Sequence, residues 1–108
     1  SALTDGYFTD NKNADLVKLV IQLIDSRVGP TKDDEMMLGY LRETGTPFVV
    51  VATKADKLNA TERRASEALL HSHPAIPTDT PILFTSSEKG EGRTDLWRLI
   101  SDRTGVKL

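Results

Sequence analysis

The sequence predicts an α/β fold: three layers, with a parallel sheet of about three strands flanked by helices. Three observations predict it. Short apolar runs recur at residues 16–24, 48–53 and 82–85. Stretches with helix punctuation separate them, and the runs are apolar on both faces rather than alternating as in a sheet that faces water on one side. The length of 108 residues sets the scale. It suits one small domain that buries roughly two-thirds of its unfolded surface.

The elements follow in chain order. Leu3, Tyr7 and Phe8 mark a helix stub within residues 1–14, ahead of a βαβαβα unit over 15–108. Residues 16–24 (LVKLVIQLI) are short, β-branched and followed by polar Asp25 and Ser26, which predicts a buried strand. Thr31 is a good N-cap, and Asp33, Asp34 and Glu35 set negative charge against the free N–H groups of a first helical turn. That helix offers Met37, Tyr40 and Leu41 to a core, and Gly45 with Pro47 stops it. The second strand is residues 48–53 (FVVVAT). Asn59 and Glu62 then form a capping-box-like start for a helix that runs to about His71. The third strand, ILFT at 82–85, follows Pro81. The last helix presents Leu96, Leu99 and Ile100 on one face with Trp97 beside it, and ends near Gly105.

Composition removes several classes of function. Fourteen basic and 16 acidic residues leave a net charge of −2, so no global field recruits nucleic acid or an anionic membrane. With no cysteine there is no disulfide scaffold, thiolate-held metal or thiol catalysis. No apolar run approaches membrane-spanning length. The start at Ser1-Ala2-Leu3 has neither a basic region nor an apolar one, so a signal peptide is not expected; a vector-derived scar, or a stretch taken from within a longer gene, is.

Right-handed crossovers between sequential parallel strands place ligands beyond the carboxyl ends of the strands. Those ends are Asp25–Arg27, Thr53–Lys57 and Ser86–Glu88, and all three are polar. Thr53-Lys54-Ala55-Asp56 is the informative one. A fixed carboxylate accepts hydrogen bonds from two adjacent donors, which guanine offers as N1–H and its 2-amino group. Adenine presents a bare acceptor at N1 instead, so a charged bidentate contact of this kind selects between them. The methylene stem of Lys54 suits one face of a flat base, and the Ser86-Ser87-Glu88 turn can present a backbone N–H to the base carbonyl. A T-K-x-D tetrapeptide also arises by chance, and a strand-end Asp commonly caps the turn that follows.

In context the sequence resembles the EngB-type ribosome-biogenesis GTPases, a branch of the translation-factor-related P-loop GTPases. The matching stretches are LVIQLIDSRVGPTKDDEMMLGYL at 19–41, GTPFVVVATKADKLN at 45–59 and ILFTSSEKGEG at 82–92. The resemblance implies that Thr53, Lys54 and Asp56 form the guanine-specificity motif, and that Ser86, Ser87 and Glu88 form the second base-contacting loop. Asp25 and Arg27 match a D-x-R signature for which a structural role is expected. Val28 stands where the family often has His. The sequence contains no G-x-x-x-x-G-K-[ST] phosphate loop, no preceding D-x-x-G strand end and no switch threonine. The expected identity is therefore the C-terminal half of a P-loop GTPase domain, with no catalytic residue and no metal ligand of its own.

On this reading GTP or GDP binds weakly or not at all, with Mg²⁺ belonging only to the full-length parent. A few hydrogen bonds to a carboxylate contribute ~1.5–3 kcal/mol each before the costs of association. Millimolar affinity, about −4 kcal/mol, is the expectation. The resemblance further implies the large ribosomal subunit as partner, roles in ribosome biogenesis, cell division and septation, and a cytoplasmic location. The unpaired strand 16–24 predicts a homodimer through its apolar edge.

Other motifs read more plainly. Gly90-Glu91-Gly92 lacks the third glycine of a dinucleotide loop, because Asp95 stands in that place. His71 and His73 lack further ligands at zinc spacing and read as surface residues. Arg63 and Arg64, near Glu62 and Glu67, read as a solvated helix face. A protein-interaction half-domain and a receiver-like phosphoacceptor domain remain as alternatives.

Overall fold

The computed structural model describes residues 19–105. The expected stub at 1–14, and the start of the first expected strand at 16–18, lie outside the described residues. The elements alternate: β1 (Val20–Asp25), α1 (Lys32–Glu43), β2 (Phe48–Thr53), a 3₁₀ turn (Ala55–Lys57), α2 (Ala60–Ser72), β3 (Ile82–Phe84) and α3 (Arg93–Thr104).

All three strands are parallel, in the order β1-β2-β3. The β1–β2 register runs from Val20 opposite Phe48 to Asp25 opposite Thr53, so these two strands end side by side. β2 passes its last pair with β3 at Ala52 and Phe84. Two crossovers stepping the same way along a sheet carry their helices to the same face. The main core reflects this: Leu38 of α1 and Leu70 of α2 join Ile24, Val50, Ala52 and Phe84 in one cluster. Val49 and Val51 look to the opposite face by strand alternation and are also buried. Central β2 thus has four consecutive buried residues, Val49–Ala52.

Two of the three long helices, α1 and α2, begin where capping chemistry places them, whereas α3 starts after Gly92 with no side-chain cap. The Thr31 hydroxyl accepts from the Asp34 N–H at 3.2 Å, and the Asp34 carboxylate accepts from the Thr31 N–H at 2.9 Å. Asn59 and Glu62 make the same reciprocal pair at 2.8 and 2.9 Å. Four unpaired N–H groups at a helix start make such caps stabilising.

Several expectations need correction. β1 is not a fully buried strand: only Ile24 is buried, and Leu23 is 59% exposed. Among the described residues β1 lies at the sheet edge, with β2 as its sole strand neighbour. On α1 the deeply buried residues are Leu38 and Leu41; Leu41 is as expected, while Met37 and Tyr40 are only half-buried and Leu38 was not expected in the core. α3 has no fully buried residue; Leu96, Leu99 and Ile100 are half-buried and Trp97 is half-exposed. Strand β3 stops at Phe84, one residue short of Thr85, whose N–H still donates to the Ala52 carbonyl at 2.9 Å.

A candidate base-reading site at the ends of β1, β2 and β3

The carboxyl ends of the three strands converge on one polar cluster. Thr53 ends β2 beside Asp25, and its hydroxyl donates to the Ile24 carbonyl at 3.4 Å. The chain then turns through Lys54 at φ 60° and ψ 34°. Lys54 is the single non-glycine residue at positive φ among the described residues. A side chain costs roughly 1 kcal/mol or more in that region. The turn starts a short 3₁₀ segment that carries Asp56, and the Ala55 N–H donates across to the Thr85 carbonyl at 3.0 Å. The loop after β3 is thereby bonded to the loop after β2.

Asp56 is the centre of this arrangement. Its Oδ1 accepts from the Ser86 hydroxyl at 2.7 Å, and its Oδ2 lies 3.7 Å from the Lys57 ammonium. The Asp56 side chain is 9% exposed and Ser86 is buried. The Ser86 hydroxyl, with Lys57 assisting, holds the Asp56 carboxyl below the usual carboxylate range. The site therefore presents an ionised, oriented carboxylate. Lys57 also reaches Glu88 at 3.4 Å, which ties the two loops together at their exposed rim.

A second carboxylate stands at the end of β1. Asp25 takes two hydrogen bonds from the Arg27 guanidinium, at 3.2 and 3.0 Å, and one from the Arg27 N–H at 2.9 Å. Lys54 approaches the same carboxylate at 3.5 Å. The Arg27 hydrogen bonds chiefly bring the Asp25 carboxyl down to about 2. The pair closes the turn after β1, and Asp25 draws the Lys54 ammonium toward β1.

The structure thus joins five of the six expected residues through Asp56: Ser86 touches it directly, Glu88 reaches it through Lys57, and Thr53 and Lys54 adjoin it in the same turn. Ser87 is exposed next to them. Three residues were missed. Lys57 is detectable in principle as a cation beside the key carboxylate. Arg63 and Glu91 carry no local signal, because 28 positions separate them and only the fold makes the Arg63–Glu91 ion pair. Arg64 is exposed as expected, but Arg63 is half-buried: its Cζ lies 5.1 Å from the Phe84 ring centroid and it also pairs with Glu67. His73 is half-buried rather than on the surface; its Nδ1 accepts from the Ala75 N–H at 3.1 Å and its Nε2 lies 3.5 Å from Glu35. Among the described residues no group of three or more His, Asp or Glu is placed to hold a metal ion. Nor is any helix long and apolar enough to cross a membrane.

Comparison with known proteins follows the same lines. No protein-family profile matches the chain. Curated relatives do. A probable GTP-binding protein EngB of Natranaerobius thermophilus is 37% identical over 86 residues, covering 80% of this chain and 45% of the relative. The same-named protein of Halothermothrix orenii is 31% identical over 93% of this chain and 49% of its own length. That of Bacillus cereus strain G9842 is 32% identical over 97% and 52%. The chain spans about half the length of the curated relatives it matches. Among solved structures, translation elongation factor SelB of Methanococcus maripaludis, in complex with the GTP analogue GPPNHP, superposes with a TM-score of 0.69 at 27% identity. That match covers 89% of this chain and 22% of SelB.

Proposed function

We propose that this chain, which belongs to the EngB-type GTP-binding proteins and spans about half their length, carries the C-terminal, guanine-reading half of their nucleotide site. The observation that supports this most is the Asp56 carboxylate, ionised and oriented by Ser86 at the joined ends of β2 and β3.

The chemistry follows from that group. Asp56 accepts the N1–H and 2-amino hydrogens of guanine as a pair, and the bond from Ser86 removes the carboxylate's freedom to turn away. Adenine would set its N1 lone pair against the same negative charge. Lys54, turned out of β2 by its left-handed backbone, lays its stem along one face of the base while Asp25 engages its ammonium. Thr53 ties the start of the turn to β1, Ser87 offers its backbone N–H to the base carbonyl, and Glu88 closes the rim through Lys57.

GTP and GDP fit the described residues at the base end only. Mg²⁺ belongs, in this reading, to the full-length parent, together with the phosphates it would bridge. Phosphate binding and hydrolysis are assigned to the other half of the family-length protein. The cytoplasmic setting, ribosome assembly, septation and the large ribosomal subunit as partner come with the family resemblance. A homodimer across β1 is the proposed state of the chain on its own.

The test is an NMR titration of this chain with GDP and with ADP. Millimolar GDP is expected to shift the Asp56 and Ser87 amides, and ADP to leave them in place. Equal response to both, or none up to about 10 mM, would refute base reading. A micromolar Kd for GDP by calorimetry would instead refute the assignment of phosphate binding to the other half.

A further inference from the structure

We propose that Arg63, on the first turns of α2, is a positioning residue: it holds Glu91, whose backbone sets Ser86 against Asp56. Its consequence for base selection rests on the guanine reading above, but the coupling itself rests on geometry alone.

The loop between β3 and α3 is anchored through Ser86. The Ser86 N–H donates to the Glu91 carbonyl at 3.1 Å, closing the loop on itself. The Ser86 hydroxyl gives its one proton to Asp56 at 2.7 Å and accepts from the Lys89 N–H at 3.1 Å, so donors and acceptors match. The position of Ser86 therefore depends on where Glu91 sits. The Glu91 carboxylate is gripped by the Arg63 guanidinium.

An ion pair at the surface is ordinarily worth little, because both side chains are free to leave. Here the guanidinium is already placed. It lies over the ring of buried Phe84, with Cζ 5.1 Å from the ring centroid, and Glu67 one turn along α2 sits 3.7 Å away. The loop has little slack on its other side. Gly92 holds φ 80°, and a Cβ there would meet the Phe84 carbonyl oxygen at 2.5 Å. Lysine at position 63 would supply charge but neither the stacking plane nor the fork.

The test uses the free chain with Arg63→Met, Arg63→Lys and Glu91→Gln, without nucleotide. Two readouts are followed by NMR: hydrogen exchange at the Ser86 amide, and titration of the Asp56 carboxyl carbon. Lys57, Glu88, Arg27 and the Ser86 hydroxyl are the groups acting on that carboxyl. Arg63→Met and Glu91→Gln are each expected to speed Ser86 exchange about tenfold, the loss of roughly one hydrogen bond's protection. Each should also move Asp56 up toward the ordinary carboxylate range, with the Val50 amide in β2 unchanged. The double variant should add nothing, and Arg63→Lys should restore only part. Wild-type exchange and titration in Glu91→Gln would overturn the proposal. That variant leaves α2 and the Phe84 packing untouched, so it decides even if Arg63→Met fails to fold. Failure of the guanine reading would appear only in the nucleotide titration and leave these readouts as they are.

Discussion

At the scale of single residues, two carboxylates with opposite duties stand in the site, Asp25 at the end of β1 and Asp56 in the turn after β2. Asp25 is satisfied within the protein, by three hydrogen bonds from Arg27. Asp56 is held at one oxygen by Ser86, and its other oxygen faces the rim beside Lys57. The pKa of Asp25 falls from 3.8 to about 2 on folding, so its pair stabilises the fold fully above the unfolded value. That contribution is lost as pH drops through the folded value. Urea midpoints of the wild type should therefore fall from pH 4 toward pH 2, with Asp25→Asn less stable at pH 7 and flatter across that interval. Parallel curves for the two proteins would show that Asp25 contributes nothing. The T-K-x-D and S-S-E residues were legible by type and spacing. Which oxygen of Asp56 is occupied was not, because Ser86 lies 30 positions away and reaches it only through the β2–β3 pairing.

At the scale of elements, the helix starts were the most legible features, because a capping box is written within four consecutive residues. Asn59 to Glu62 closes as expected, and the expected N-cap Thr31 also makes a reciprocal pair with Asp34, which the sequence marks only as helix-end charge. The second of these also fixes the first turn of α2, where Arg63 begins its reach to Glu91. Asn59→Ala should lower stability by about 1 kcal/mol in urea unfolding, and Asn59→Asp should retain most of it. An unchanged midpoint in Asn59→Ala would mean that tertiary packing alone holds the helix start. Core phase was less legible. Leu38, not Met37, enters the core of α1, because the burying face is set by the angle at which the helix lies on the sheet.

At the scale of the whole molecule, the sheet order decides what is exposed. β1 has the composition of an interior strand but lies at the edge among the described residues, leaving Leu23 59% exposed on the face opposite α1 and α2. An open apolar edge pairs readily with another chain. Sedimentation equilibrium should show mass rising with concentration toward a dimer, and Leu23→Lys should return it to the monomer. A wild-type monomer at every concentration would exclude association through this edge. By itself, the sequence determined the alternation of strands and helices, their caps, and the chemical types at the strand ends, since each is encoded by spacing within a few residues. The tertiary structure alone decided that Ser86 orients Asp56, that Arg63 reaches Glu91 over Phe84, and that β1 stands at an edge. Those contacts join residues far apart in the chain, and only the parallel register and the crossovers bring them within bonding distance.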